Sequence, residues 1–113
     1  VTPQRGSLLL VNLEPTVGHE QRGVRPAVVV SDPLVIEDQR FPLIGVVPVT
    51  GTRGEGALYP ELAPGESGLK KTSYALTDQV RSIDKRRVLK QFGRLRPEEI
   101  DAIDEGLRLY FAL

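Results

Sequence analysis

The sequence predicts a mainly β fold closed by a C-terminal α-helix, and three observations carry that expectation. Short β-prone apolar runs recur between Gly and Pro punctuation over the first three-quarters of the chain. Beyond Pro97 the apolar residues change to helical spacing. The length, 113 residues with 40% hydrophobic, suits one domain, 1–113, with a core that needs no staples.

The strands follow in order. Ser7–Leu13 is an apolar run stopped by Pro15. Arg25–Asp32 is nearly continuous in apolar residues, as in a strand buried on both faces. Leu43–Thr50 is rich in Val and Ile, and Gly51 closes it. Ala57–Leu62 and Ser73–Ile83 are a fourth and a fifth. In the fifth, alternation places Tyr74, Leu76, Asp78 and Val80 on one face, with Ala75, Thr77, Gln79 and Arg81 on the other. Asp84 is placed to cap a short helical turn through Leu89, and Lys90–Leu95 reads as one more strand. Strands this short and this punctuated make a small barrel or sandwich.

The terminal helix opens at Pro97, whose missing N–H costs nothing at the first helical position. Glu98, Glu99 and Asp101 complement the positive end of the helix dipole. Ile100, Ile103, Leu107, Tyr110 and Phe111 form one apolar stripe, expected to dock on the sheet. Gly106 interrupts it at a cost of about 1 kcal/mol relative to Ala.

Composition removes whole function classes. With no cysteine, disulfides, CxxC redox chemistry and thiolate zinc sites are out, and a single histidine cannot build a histidine-rich metal site within one protomer. No metal and no cofactor are expected. The longest apolar runs, Leu8–Val11 and Ala27–Val30, fall far short of a membrane span, so no membrane partner and a cytoplasmic location are expected. Charge balances at 15 against 15, but it is segregated. Arg81, Lys85, Arg86, Arg87, Lys90, Arg94 and Arg96 form a basic stretch ahead of an acidic helix, which is either a solvated face or a surface for RNA or an acidic partner.

The densest polar cluster is Gly18-His19-Glu20-Gln21-Arg22-Gly23-Val24-Arg25-Pro26, between the first two strands. It offers an imidazole that changes charge near neutrality, a carboxylate and two guanidiniums suited to phosphate. The nucleotide-cradling patterns GxxxxGK[ST] and GxGxxG are absent. On residue types alone the cluster is a solvated hairpin loop or a site. As a site it has enough for phosphodiester cleavage in RNA, where the ribose 2′-OH is the nucleophile. That chemistry needs a proton acceptor, a cation on the phosphorane and a donor for the leaving 5′-oxygen.

Arg5-Gly6, Leu13-Glu14-Pro15-Thr16, Gly18-His19-Glu20-Gln21, Gly23-Val24-Arg25-Pro26 running into Ala27–Ser31, Val47-Pro48-Val49-Thr50 and Asp78–Asp84 occur in order at matching spacings. Together they resemble the MazF/PemK (Kid) family of toxin endoribonucleases, from about Arg5 to the terminal helix. The resemblance implies a small twisted SH3-like barrel of the CcdB/PemK/MazF type, acting as a homodimer. The implied activity is metal-independent, sequence-preferring cleavage of single-stranded mRNA to 2′,3′-cyclic phosphate and 5′-hydroxyl ends, held in check by a MazE-like antitoxin with an acidic disordered tail.

By the same resemblance Arg25 is the catalytic arginine and Thr50 the threonine at the scissile phosphate, with Glu20 and His19 as acid/base candidates. Arg22, Asp78, Gln79 and Arg81 are RNA-binding candidates, and Tyr59 and Tyr74 are the aromatics available for base stacking. Asp78 is also proposed as a base in one branch, although it is equally placed to pair with Arg81 or Lys85. A second arginine of that branch is Leu76 here, and Gly51 stands where serine is common after the threonine. The alternative is a CcdB-like gyrase poison without nuclease activity. That branch ends in Trp-Gly-Ile, whereas this chain ends Phe111-Ala112-Leu113.

Overall fold

The computed structural model describes residues 2–113. Strands β1 (Ser7–Asn12), β2 (Val24–Val29), β3 (Leu43–Thr50), β4 (Glu61–Leu62), β5 (Ser73–Ala75), β6 (Arg81–Asp84) and β7 (Val88–Arg94) form one antiparallel sheet. Its order is β4-β5-β3-β2-β1-β7, with β6 also on β3. Two helices complete the fold, α1 (Pro33–Glu37) and α2 (Pro97–Phe111). The sheet curls into a half-barrel. Its open side is bridged where the Gly93 N–H of β7 donates to the Ser67 carbonyl beyond β4 (2.9 Å).

The central strands are apolar on both faces because each face has its own core. Leu9, Val11, Ala27, Val29, Ile44 and Val46 pack with Ile36 of α1. Their neighbours Leu8, Val28, Val47 and Val49 point the other way and pack with Leu62, Leu95 and Ile103 of α2. The continuous runs in the sequence are two superimposed alternations, one per face.

The expected second strand stops at Val29 rather than Asp32, and the unexpected helix α1 follows it. The Asp32 side chain instead accepts from the Leu34 N–H, and Pro33 takes the first helical position, so the chain turns here to cover a core. Only Glu61–Leu62 of the expected fourth strand pairs. Asp84 does cap a short turn through its bond to the Arg86 N–H, but that turn ends at Arg87, and Val88 and Leu89 belong to β7.

The expected fifth strand is broken, and Pro48 gives a physical reason. The Leu76 N–H donates to the Pro48 carbonyl (2.9 Å), but proline has no N–H to return the bond. On this edge Val49 pairs with Ala75, whereas Val46 pairs with Arg81. The edge therefore carries three more residues than β3 opposite it, and the 3-10 turn Thr77–Gln79 takes them up. Asp78 and Gln79 are lifted out of the ladder, and the expected alternation of faces ends at Leu76.

The stripe on α2 docks in its first half. Ile103 is buried and Ile100 and Leu107 pack beside it, but Tyr110 and Phe111 are 48% and 52% exposed. At the helix start Glu99 accepts from the Arg96 and Ala63 N–H groups (3.0 and 2.7 Å), tying α2 to the segment after β4.

Candidate functional site

Two cavities meet at Thr50, the last residue of β3. The larger, about 570 Å³, has Leu8, Leu10, Pro26, Val49 and Phe92 among its apolar lining and Arg25, Lys70, Lys71 and Lys90 as its cations. The smaller, about 340 Å³, is lined by Gln21, Thr52, Arg53, Tyr59, Leu76 and Gln79. Thr50 lines both.

Arg25 enters the larger cavity from β2, the strand beside β3, so sheet pairing brings it to the same groove as Thr50. Its Nε donates to the Arg22 carbonyl (3.0 Å) and no carboxylate pairs with it among the described residues. A guanidinium held at one nitrogen, with the others free, suits bidentate contact with phosphate. The Thr50 hydroxyl oxygen accepts from the Thr52 N–H (3.1 Å), which leaves its proton available to a ligand.

The loop over 13–23 is held from below. The Arg81 guanidinium donates to the Leu13 carbonyl (3.0 Å), and Arg87 donates to the carbonyls of Asn12 and Glu14. The Glu14 carboxylate sits below the ordinary carboxylate range, first because the Gly23 N–H donates to it, then through the Thr16 hydroxyl and the charges of Arg22 and Arg81. Gln79, displaced from the ladder, accepts the Gln21 N–H (2.7 Å) and donates to the His19 carbonyl (3.4 Å). The turn opposite Pro48 thus anchors the loop.

Several candidate residues stand elsewhere than the sequence suggested. His19, Glu20 and Arg22 are exposed on the loop and line neither cavity; Glu20 accepts from the Val17 N–H (2.9 Å). Asp78 pairs with neither Arg81 nor Lys85, because Lys85 is spent on the carbonyls of Val35 and Asp38. Its Oδ2 accepts from the Tyr59 hydroxyl (2.6 Å), a bond that raises the Tyr59 pKa above its ordinary value. Tyr74 is 9% exposed with its hydroxyl on Glu61 (3.4 Å), so its ring offers no stacking face. Arg81 and Lys85–Arg87 are engaged with backbone or with Asp84 rather than presented to a groove.

Lys70, Lys71 and Gln21 line the cavities although nothing in the sequence singles them out as site residues. The lysines carry no motif, and only the approach of the segment before β5 to β3 brings them beside Thr50. Gln21 stood inside the polar cluster, but its place in the smaller cavity follows from its bond to Gln79.

Residues 4–111 match the PemK-like, MazF-like toxins of type II toxin–antitoxin systems. The chain belongs to this family. It is 32% identical to endoribonuclease EndoA of Bacillus subtilis (strain 168), over 97% of this chain and 95% of that protein. It is 36% identical to endoribonuclease MazF9 of Mycobacterium tuberculosis, over 97% of each. Among solved structures, MazF from Deinococcus radiodurans superimposes with a TM-score of 0.84 at 27% identity, over 100% of this chain and 99% of that one. A MazE–MazF complex from the same organism gives 0.77 at 27% identity, over 100% and 98%. The fold expected from the resemblance is therefore the fold of this MazF-like toxin, a curled β half-barrel with a C-terminal helix. Among its described residues no helix is long and apolar enough to cross a membrane.

Proposed function

We propose that this MazF-like toxin is an endoribonuclease that cleaves single-stranded mRNA in the groove shared by Arg25 and Thr50. The observation that carries the reading is that these two side chains, 25 residues apart in sequence, line one cavity with a cationic rim. Its relatives named endoribonucleases, matched over nearly their whole length, support the same activity.

The residues divide the work as follows. Arg25 places a permanent charge and paired donors on the phosphate as it gains negative charge. The Thr50 hydroxyl fixes a phosphate oxygen beside it. The ribose 2′-oxygen attacks phosphorus as its proton passes to an acceptor on the loop, and the bond to the 5′-oxygen breaks as that oxygen takes a proton from water in the open groove, leaving a 2′,3′-cyclic phosphate and a 5′-hydroxyl. Glu20 and His19 are the acceptor candidates, reaching the groove by movement of the loop around Gly18 and Gly23. Tyr59 and Gln79 border the smaller cavity, a subsite for a base next to the cleaved bond. The site works as a homodimer in the cytoplasm, and an acidic antitoxin segment silences it by neutralising the same rim. A gyrase-poison reading gains nothing from this geometry.

The test is cleavage of a long single-stranded RNA by the purified chain in the presence of EDTA, with the ends mapped. Arg25→Ala and Thr50→Ala are each expected to slow single-turnover cleavage at least ~100-fold, with melting curves unchanged because neither side chain is in the core. Near wild-type rates in both variants would move the site elsewhere.

A further inference from the structure

We propose that Lys71 is a catalytic residue, a second cation that contacts the scissile phosphate beside Thr50. The inference rests on the endoribonuclease reading and adds to it a residue that no sequence motif marks.

Gly51 follows Thr50 at the end of β3, and the Lys71 side chain lies across it. A Cβ built on Gly51 would meet Lys71 Cε at 2.5 Å and Nζ at 2.6 Å. The ammonium therefore occupies the space that any side chain at position 51 would fill. It reaches that space because β5 pairs with the end of β3, with Tyr74 opposite Thr50, and Lys71 precedes β5. Lys71 lines the same cavity as Arg25 and Thr50.

Lys71 also has no competing partner. Among the described residues it forms no ion pair, and its ammonium donates no hydrogen bond. The other lysines of the cavity differ. Lys90 Nζ sits over the Phe92 ring, 5.1 Å from its centroid, and Lys70 makes no comparable approach to Gly51. An unpaired ammonium over Gly51, in one cavity with Thr50 and Arg25, is poor protein packing but a good receptor for a doubly charged phosphorane. It provides a cation where the charge develops, on the side of Thr50 that Gly51 leaves open.

The experiment compares the chemical step, at saturating RNA in single turnover, for wild type, Lys71→Ala, Lys71→Arg, Gly51→Ala and the double variant Gly51→Ala/Lys71→Ala. Lys71→Ala is expected to slow the step about 10- to 100-fold with an unchanged melting curve, because the side chain is exposed. Lys71→Arg should recover most of the loss by restoring the charge. Gly51→Ala should slow the step by pushing the flexible ammonium away, and should add nothing in the Lys71→Ala background, since coupled residues fail to add.

Wild-type rates for Lys71→Ala, or a change confined to RNA affinity with the chemical step intact, would overturn the inference while leaving the nuclease reading standing. A Gly51→Ala effect of the same size in both backgrounds would break the link between the two residues and overturn it as well. Failure of the wild-type chain to cleave any RNA would remove the nuclease reading, and this inference with it.

Discussion

The Tyr59 hydroxyl and Asp78 Oδ2 are 2.6 Å apart, and this is the carboxylate's one hydrogen bond among the described residues. Asp78 Oδ1 is buried without a partner. The pair joins the segment before β4 to the turn opposite Pro48, the turn that also anchors the 13–23 loop through Gln79. It therefore couples the floor of the smaller cavity to the loop above it.

Tyr59→Phe leaves Asp78 with both oxygens unpaired, and a buried acceptor left without its donor is costly. The expected result is a fall in melting temperature of roughly 5 °C. The bond also has a pH signature. Because the phenol is raised above its ordinary value of 10.0, chiefly by the Asp78 bond, it stabilises the fold fully below that value. The contribution is lost as pH rises through the raised value. Ultraviolet titration of the tyrosines should show a late-ionising phenol in wild type that Tyr59→Phe removes.

His19 and Glu20 share the loop beside Arg25, and a pH–rate profile separates their roles. If the imidazole accepts the 2′-OH proton, His19→Ala abolishes the acid limb of the cleavage profile. This is the expected outcome. A limb unchanged in His19→Ala but lost in Glu20→Gln would transfer the acceptor role to the carboxylate.

Gly106 sits in α2 against the Thr77 turn. A Cβ there would lie 2.9 Å from the Ala57 carbonyl oxygen and from Thr77 Cγ2 and Oγ1. Helix propensity favours Ala by about 1 kcal/mol, but overpacking costs roughly 1–3 kcal/mol. Thr77 cannot yield, because its hydroxyl is bonded to the Leu58 carbonyl (2.5 Å). Gly106→Ala is thus expected to destabilise despite its propensity, measured as a lower urea midpoint. A higher midpoint would show that α2 shifts freely over the turn.

The Asp84 carboxylate is lowered from 3.8 to about 2, first by the Arg86 guanidinium and then by the Arg86 N–H it caps. A depressed carboxyl stabilises the fold above its unfolded value and loses that contribution as pH falls through the folded one. The acid limb of stability between about 4 and 2 should therefore be shallower in Asp84→Asn. Equal slopes in urea denaturation at those pH values would show that the pair with Arg86 survives unfolding.

The sequence by itself determined the apolar runs that become β1, β2 and β3 and the start of α2 at Pro97, and its family resemblance put Arg25 and Thr50 in one proposed site. These are legible because period-two patterning, proline chemistry and short motifs act over neighbouring residues. Tertiary structure decided what depended on a partner strand. Pro48 withholds an N–H from Leu76, so the 73–83 segment breaks, Asp78 turns to Tyr59 and Gln79 turns to the loop. Tyr74 is buried by the same pairing that puts it opposite Thr50. Lys71 reaches Gly51 across that pairing as well. A hydrogen bond missing from one strand is felt by residues far along the chain, and pairing register, a property of two segments together, cannot be read from either alone.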